Sequence, residues 1–104
     1  MLNLKISPEK AILLIAERIN DLQTIGENQH GPGYYDFVAW LSKTYSVIDG
    51  IYGADTIHPE EIRIIGLPAC SCNSENVTHM LIEAYRSKLL DYSNEIRIFM
   101  KIKE

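Results

Sequence analysis

Apolar residues recur every three or four positions through most of this chain, and that spacing limits the fold more than any other feature. The first such stripe consists of Ile12, Ile15, Ile19 and Leu22. Side chains at this spacing share one face of an α-helix, which needs a neighbour to cover it. Ser7 is a suitable N-cap and Gly26 a suitable C-terminal stop. We therefore predict a first helix over residues 8–25.

The same periodicity predicts two further long helices. One should begin at Tyr34 or Tyr35 and end at Gly50 or Tyr52. Its stripe consists of Phe37, Trp40, Leu41, Thr44, Ile48 and Ile51. The other should begin near Ser74, and its stripe consists of Leu81, Tyr85, Leu89, Tyr92, Ile96 and Phe99. Between the two, Pro59 at a first helical position and Gly66 as a stop predict a short helix within residues 56–66.

Three charged residues, Lys88, Asp91 and Glu95, interrupt the last apolar stripe. A charged side chain is rarely buried without a partner, so these positions need a reason to face the core. We expect them where the helix passes from one packing neighbour to the next, or where a subunit interface begins.

Strands compete with helices in three short segments. Residues 61–64 and 95–98 both read Glu-Ile-Arg-Ile, and apolar residues also alternate with polar ones over residues 2–7. Alternation is the period of a half-buried strand. We predict a mainly α fold of one domain, residues 1–104: a bundle of three long helices plus one short helix, with room for short terminal strands. The alternative is an α+β fold with a small three-stranded sheet.

Composition excludes several classes of function. The 104 residues carry a formal net charge of −4, and the ten lysines and arginines are scattered. Binding to a nucleic-acid polymer or a membrane surface requires a concentrated cationic face, so we predict neither. The first seven residues do not have the cationic start and apolar block of a secretory signal. With two cysteines, Cys70 and Cys72, a disulfide framework is not expected, and we predict a cytoplasmic protein.

Catalytic and metal-binding motifs are not recognisable. The nearest candidate is Cys70-Ser71-Cys72 followed by His79, because zinc favours thiolate and imidazole ligands. One residue between the two thiols is closer than zinc sites usually have, so a loop with two small thiols is the simpler interpretation. We predict a non-enzymatic protein with no cofactor and no bound metal.

The loop before the second helix is the best candidate for a ligand site. Glycines at a helix start expose backbone N–H groups that bind anions, and a neighbouring tyrosine can stack on a base. The predicted ligand-binding residues are Gly31, Gly33, Tyr34, Tyr35, Lys43, Arg86 and Arg97. A strip of small residues on the second helix would let another backbone approach, and we predict it as an oligomer interface: Ala39, Ser42, Ser46 and Gly50.

Trp40, Ile48 and the run Ile51-Tyr52-Gly53 on a central helix resemble a helical module of uncharacterised bacterial and phage proteins. That module accompanies anti-phage defence domains that sense or make nucleotide signals. The chain departs from it after Gly53, where an aromatic residue is expected and Ile62 and Ile65 stand. The resemblance implies a context of phage–host conflict and identifies no catalytic residue.

These observations favour a small, homo-oligomeric binding protein that sequesters a small anionic nucleotide-derived signal. The resemblance implies that the protein is phage-encoded and that it evades host defence in this way. A helical protein–protein interaction module or regulatory subunit is the alternative hypothesis. A metal-binding protein using Cys70, Cys72 and His79 is the third.

Overall fold

The computed structural model describes residues 3–26, 34–65 and 75–103. They form four helices: α1 (Pro8–Gly26), α2 (Tyr34–Tyr52), α3 (Ile57–Ile64) and α4 (Glu75–Lys103). The predicted bundle of three long helices and one short helix is confirmed. None of the described helices is long and apolar enough to cross a membrane.

The three-stranded sheet is wrong, since no described residue lies in a strand. Residues 61–64 lie in α3 and residues 95–98 in α4. Burial gives the reason: Ile62 and Ile96 are fully buried, whereas Ile64 and Ile98 are 57% and 59% exposed. A strand would place the two isoleucines of each segment on one face, but a helix separates them by about 200°.

Local contacts fix where the elements begin and end. The backbone N–H of Lys10 donates to Oγ of Ser7 at 3.3 Å, which confirms Ser7 as the N-cap of α1. After α2, Gly53 has a φ of 97°, a conformation that a side chain disfavours. The N-terminal segment then lies against this turn, where the N–H of Lys5 donates to the carbonyl of Ile51 at 2.7 Å.

Helices α1 and α4 are the main packing pair, and they run antiparallel. Ile12, near the start of α1, shares a groove with Met100 near the end of α4. At the other end, a Cβ placed on Gly26 would lie 3.8 Å from Cγ2 of Ile82. With 29 residues, α4 is about 43 Å long. It therefore spans nearly the whole molecule, which measures 45 × 26 × 17 Å.

The core lies between this pair and α2. Its buried apolar residues are Ala11, Ile15, Leu22, Phe37, Trp40, Ile48, Ile51, Tyr52, Ile62, Ile82, Tyr85, Leu89, Tyr92 and Ile96. Phe37, Trp40 and Tyr85 form an aromatic group with ring centroids 5.8 to 6.0 Å apart. The indole N–H of Trp40 donates to the carbonyl of Arg18 at 2.8 Å and so joins α2 to α1.

Candidate functional site

One side of the α1–α4 pair is left open. Helix α2 packs on the side of α1 that carries Asp21 and Ile25. Helix α3 contacts the side of α4 that carries Lys88 and Tyr92. By helical phase, Ile12 on α1 points about 140° away from Ile25. Ile12 itself is partly buried against the core, whereas Ile98, beside it on α4, is exposed to solvent.

This open side contains a groove of about 790 Å³. Its lining residues are Ile12, Asn94, Arg97, Ile98, Met100 and Lys101. Ile98 is 59% exposed, and Ile102, one turn further along α4, is 78% exposed. Exposed apolar side chains that lie together, next to polar ones, are typical of a surface that another molecule covers. We call this surface the α1–α4 groove.

The α1–α4 groove is basic. Arg97 and Lys101 stand one turn apart on α4, and none of the lining residues is a carboxylate. Within the described part of the chain, neither cation has a salt-bridge partner. The acids closest by helical phase are Asp91, one turn before Asn94 on α4, and Glu9, one turn before Ile12 on α1; both are exposed and neither lines the groove. The groove thus has the opposite sign to the chain as a whole.

A second group of functional side chains joins α2, α3 and α4. It consists of Tyr52, His58, Glu61, Lys88, Tyr92 and Glu95, which we call the tyrosine–histidine cluster. The rings of Tyr52 and His58 stack with centroids 4.1 Å apart. Nε2 of His58 lies 2.7 Å from Oε1 of Glu95. The hydroxyl of Tyr92 donates to the carbonyl of His58 at 2.7 Å.

Two of the charged residues that interrupt the α4 stripe contact α3 in this cluster. Glu95 pairs with His58, and Nζ of Lys88 lies 3.5 Å from Oε1 of Glu61. The expectation that they mark a change of packing neighbour, or the start of a subunit interface, stays a prediction. Asp91 is exposed.

The two tyrosines of the cluster can donate hydrogen bonds but cannot act as nucleophiles. Burial raises the pKa of Tyr52 and of Tyr92, and the carboxylates of Glu95 and Glu61 raise both further. Both phenols therefore stay protonated at neutral pH. The hydroxyl of Tyr52 is buried and has no partner among the described residues. These contacts join α3 to α2 and α4.

Beside the cluster lies a small pocket of about 160 Å³. Its lining residues are Asn3, Lys5, Tyr52, Thr56, Ile57 and His58. The hydroxyl of Thr56 is already used, since it donates to the carbonyl of Gly53 at 2.6 Å. A pocket of this size admits only an ion or a very small molecule, because ligand sites usually measure about 300–1,000 Å³.

The structure does not bring the predicted ligand-binding residues into one place. Gly31 and Gly33 lie outside the described residues, and for Tyr34 and Tyr35 the structure describes only their place at the start of α2. Lys43 lines a pocket of about 360 Å³ between α1 and α2. Arg97 lines the α1–α4 groove instead.

Arg86, the remaining predicted cation, is exposed on α4, where Nη1 lies 3.8 Å from Oε2 of Glu83. The predicted interface strip is exposed along α2 at all four positions: Ala39, Ser42, Ser46 and Gly50. A Cβ on Gly50 would meet nothing within 4 Å. The role of this strip in association stays a prediction.

Cys70 and Cys72 lie outside the described residues, so the predicted thiol loop is not tested. Elsewhere in the described ranges, no three histidine or acidic side chains come close enough to hold a metal ion.

Sequence reasoning named Arg97 but missed the α1–α4 groove itself. A signal was present: Ile98 and Ile102 are large apolar residues one turn apart on the polar side of α4. A periodicity argument that assigns every isoleucine to the core does not find such a pair.

Comparison with known proteins gives this chain no relative. No family model matches it, and neither the curated proteins nor the solved structures contain a significantly similar chain.

Proposed function

We propose that this protein is a non-enzymatic interaction module that binds a helical segment of a protein partner in the α1–α4 groove. The observation that carries the proposal is the exposure of Ile98 beside a groove of about 790 Å³ that no described helix covers. An amphipathic helix places its apolar face into such a groove through residues spaced three and four apart.

The dimensions support a short helix as the occupant. On α4 the lining runs from Asn94 to Lys101, which is about 10 Å of helix or two turns. Ile102 extends the apolar surface beyond Lys101. A helix of three turns would cover both the groove and this extension.

A display library of 16-residue helical peptides tests the proposal without a known partner. Wild-type chain is the bait, and peptides that it enriches are then measured against two variants by fluorescence anisotropy. Ile98→Asp should abolish binding, because it puts a carboxylate among apolar contacts. Ile64→Asp is the matched control, since Ile64 is as exposed as Ile98 but lies on α3. Failure to enrich any peptide, or equal losses in both variants, would refute the proposal.

Capture of a small anionic ligand is the second candidate function. The pocket between α1 and α2 has Lys43 beside Trp40 and the buried Arg18, and its lining also contains the carboxylates of Asp21 and Asp36. Arg18 is paired with Asp21, so Lys43 is the cation that supports this candidate. Under the resemblance to the phage and bacterial module, the ligand would be a nucleotide-derived signal and the protein a cytoplasmic agent of phage–host conflict.

Calorimetry with cyclic and linear nucleotides tests this second candidate. A nucleotide that binds should bind more weakly to Lys43→Glu, because that change removes a cation from the pocket. Folded protein that gives no heat with any nucleotide of the panel would eliminate this function.

A further inference from the structure

We propose that the occupant of the α1–α4 groove is an acidic amphipathic helix of a different protein. This inference rests on the proposed function and adds the chemical class of the partner. It depends on the charges that line the groove and on how they would meet each possible occupant.

The groove offers two cations for which the described residues provide no partner. Three basic side chains elsewhere on the described helices have close acidic partners, Arg18 with Asp21, Arg63 with Asp49 and Lys88 with Glu61. Lys10 and Lys43, like the two groove cations, have no salt-bridge partner among the described residues. Arg97 and Lys101 are instead next to the apolar side chains of Ile12, Ile98 and Met100. Carboxylates on the rim of an incoming helix would pair with both cations while its apolar face covers the groove.

A second copy of this chain does not fit the groove through a closed contact. In a two-fold dimer the same surface meets itself, so Arg97 and Lys101 of the two copies would be brought towards each other. Like charges across an interface disfavour association. Insertion of some other, acidic helix of a second copy would be a head-to-tail contact, which builds a ring or an open polymer rather than a two-fold dimer.

A lipid surface also fits poorly. A membrane-binding helix presents a convex face with its apolar side outward. Here the apolar surface is small and lies between two helices, with Ile12 on α1 and Ile98 on α4. The chain as a whole has a formal net charge of −4, which disfavours approach to an anionic bilayer.

The test uses the full chain and a peptide library in which the apolar anchors are fixed and the remaining positions vary among Glu, Lys, Gln and Ser. Three baits are compared: wild type, the double variant Arg97→Glu/Lys101→Glu, and the control Lys5→Glu/Lys10→Glu. Both double variants change the net charge equally, and Lys5 and Lys10 are exposed outside the groove. Circular dichroism and urea midpoints establish that each variant is folded.

Wild type and control should enrich peptides rich in Glu, and the groove variant should enrich peptides rich in Lys. An individual acidic peptide should bind the groove variant at least about tenfold more weakly than wild type, since close charge pairs contribute that much or more. Increasing the salt concentration should reduce the difference in affinity between wild type and the groove variant.

Other outcomes distinguish the acidic partner from the more general function of the groove as a helix-binding site. Enriched peptides without a charge preference, but sensitive to Ile98→Asp, would overturn the acidic partner and leave the groove function standing. Absence of any enriched peptide would overturn both. A wild-type dimer in sedimentation that the groove variant dissociates would identify a second copy as the occupant. Binding to phosphatidylserine vesicles that the groove variant loses would identify a lipid surface. Either of these two results would overturn the inference.

Discussion

The hydroxyl of Thr44 lies in the buried stripe of α2, between Trp40 and Ile48, and is fully excluded from solvent. None of the described residues forms a hydrogen bond with it. A threonine inside a helix usually bonds back to the carbonyl four residues earlier. Without that bond, the hydroxyl loses its hydrogen bonds to water on folding and forms none that replaces them. Thr44→Val should therefore stabilise the protein.

The size of the gain follows from the structure. Burying a polar group without a partner costs about 1–3 kcal/mol. Valine has nearly the same shape as threonine and a similar helix propensity, so little is lost elsewhere. We expect the free energy of unfolding to rise by about 1–2 kcal/mol. For a domain of this size, each kcal/mol raises the melting temperature by about 4–8 °C.

Urea denaturation followed by circular dichroism measures this change. The midpoint should rise while the slope m stays constant, because the surface exposed on unfolding does not change. Thr44→Ser is the control: it keeps the hydroxyl, removes a buried methyl group and should lower stability by about 1 kcal/mol. If Thr44→Val instead destabilises the protein, the hydroxyl has a hydrogen-bond partner and the reasoning is wrong.

Four further substitutions test individual contacts. Tyr52→Phe should raise the urea midpoint, because it removes a buried hydroxyl that has no partner among the described residues. Tyr92→Phe should lower stability by about 1–3 kcal/mol, because its hydroxyl donates to α3. Equal effects of the two substitutions on the urea midpoint would contradict the assigned bonds. Asp49→Asn should cost stability at pH 7, and this cost should decrease as the pH falls. Two hydrogen bonds from Arg63, each 2.8 Å, lower the pKa of Asp49 below 3.8 in the folded protein. The contribution of these bonds to stability is therefore present above pH 3.8 and is lost as the pH falls through the lower pKa of the folded state. Urea midpoints for both proteins across pH 2–7 measure this, and an unchanged difference would show that the pair contributes through packing. Gly50→Ala should raise the melting temperature, with a gain of about 0.5–1 kcal/mol, since the helix has open space there; a loss of stability would mean that this face is covered.

The helix bounds could be predicted because their signals are local. Ser7 before an apolar stripe and Gly26 after it specify α1 within one residue of its observed end. Periodicity also distinguishes helix from strand, provided that the window is longer than the four residues in which Ile62 and Ile64 alternate with polar neighbours.

Contacts between helices could not be predicted, because they depend on how two helices are rotated against each other. Arg18 follows the phase of the α1 stripe and is buried with Asp21 as its partner, but a charged residue is normally assigned to the surface. Tyr52, His58 and Tyr92 come together from α2, α3 and α4, and no sequence spacing connects them.

The candidate site, too, could be predicted only in part from the sequence. Composition and helix phase place Arg97 on a polar face, and the predicted ligand set includes it for its charge. Its neighbour Met100 lies one turn further along the same helix, whereas Ile12 is brought to it by the antiparallel register of α1 and α4. That register is set by the whole core and not by any short motif.

Trp40 is the sole tryptophan of the chain, and its indole spans the contact between α1 and α2. The tryptophan fluorescence of the protein therefore reports on this one helix contact rather than on an average over several tryptophans. Separation of α1 from α2 would expose the ring to water and shift its fluorescence to longer wavelength. Because α4 packs against the same indole through Tyr85, a shift seen before the loss of the helical signal would reveal a state in which the helices persist after their packing has been lost.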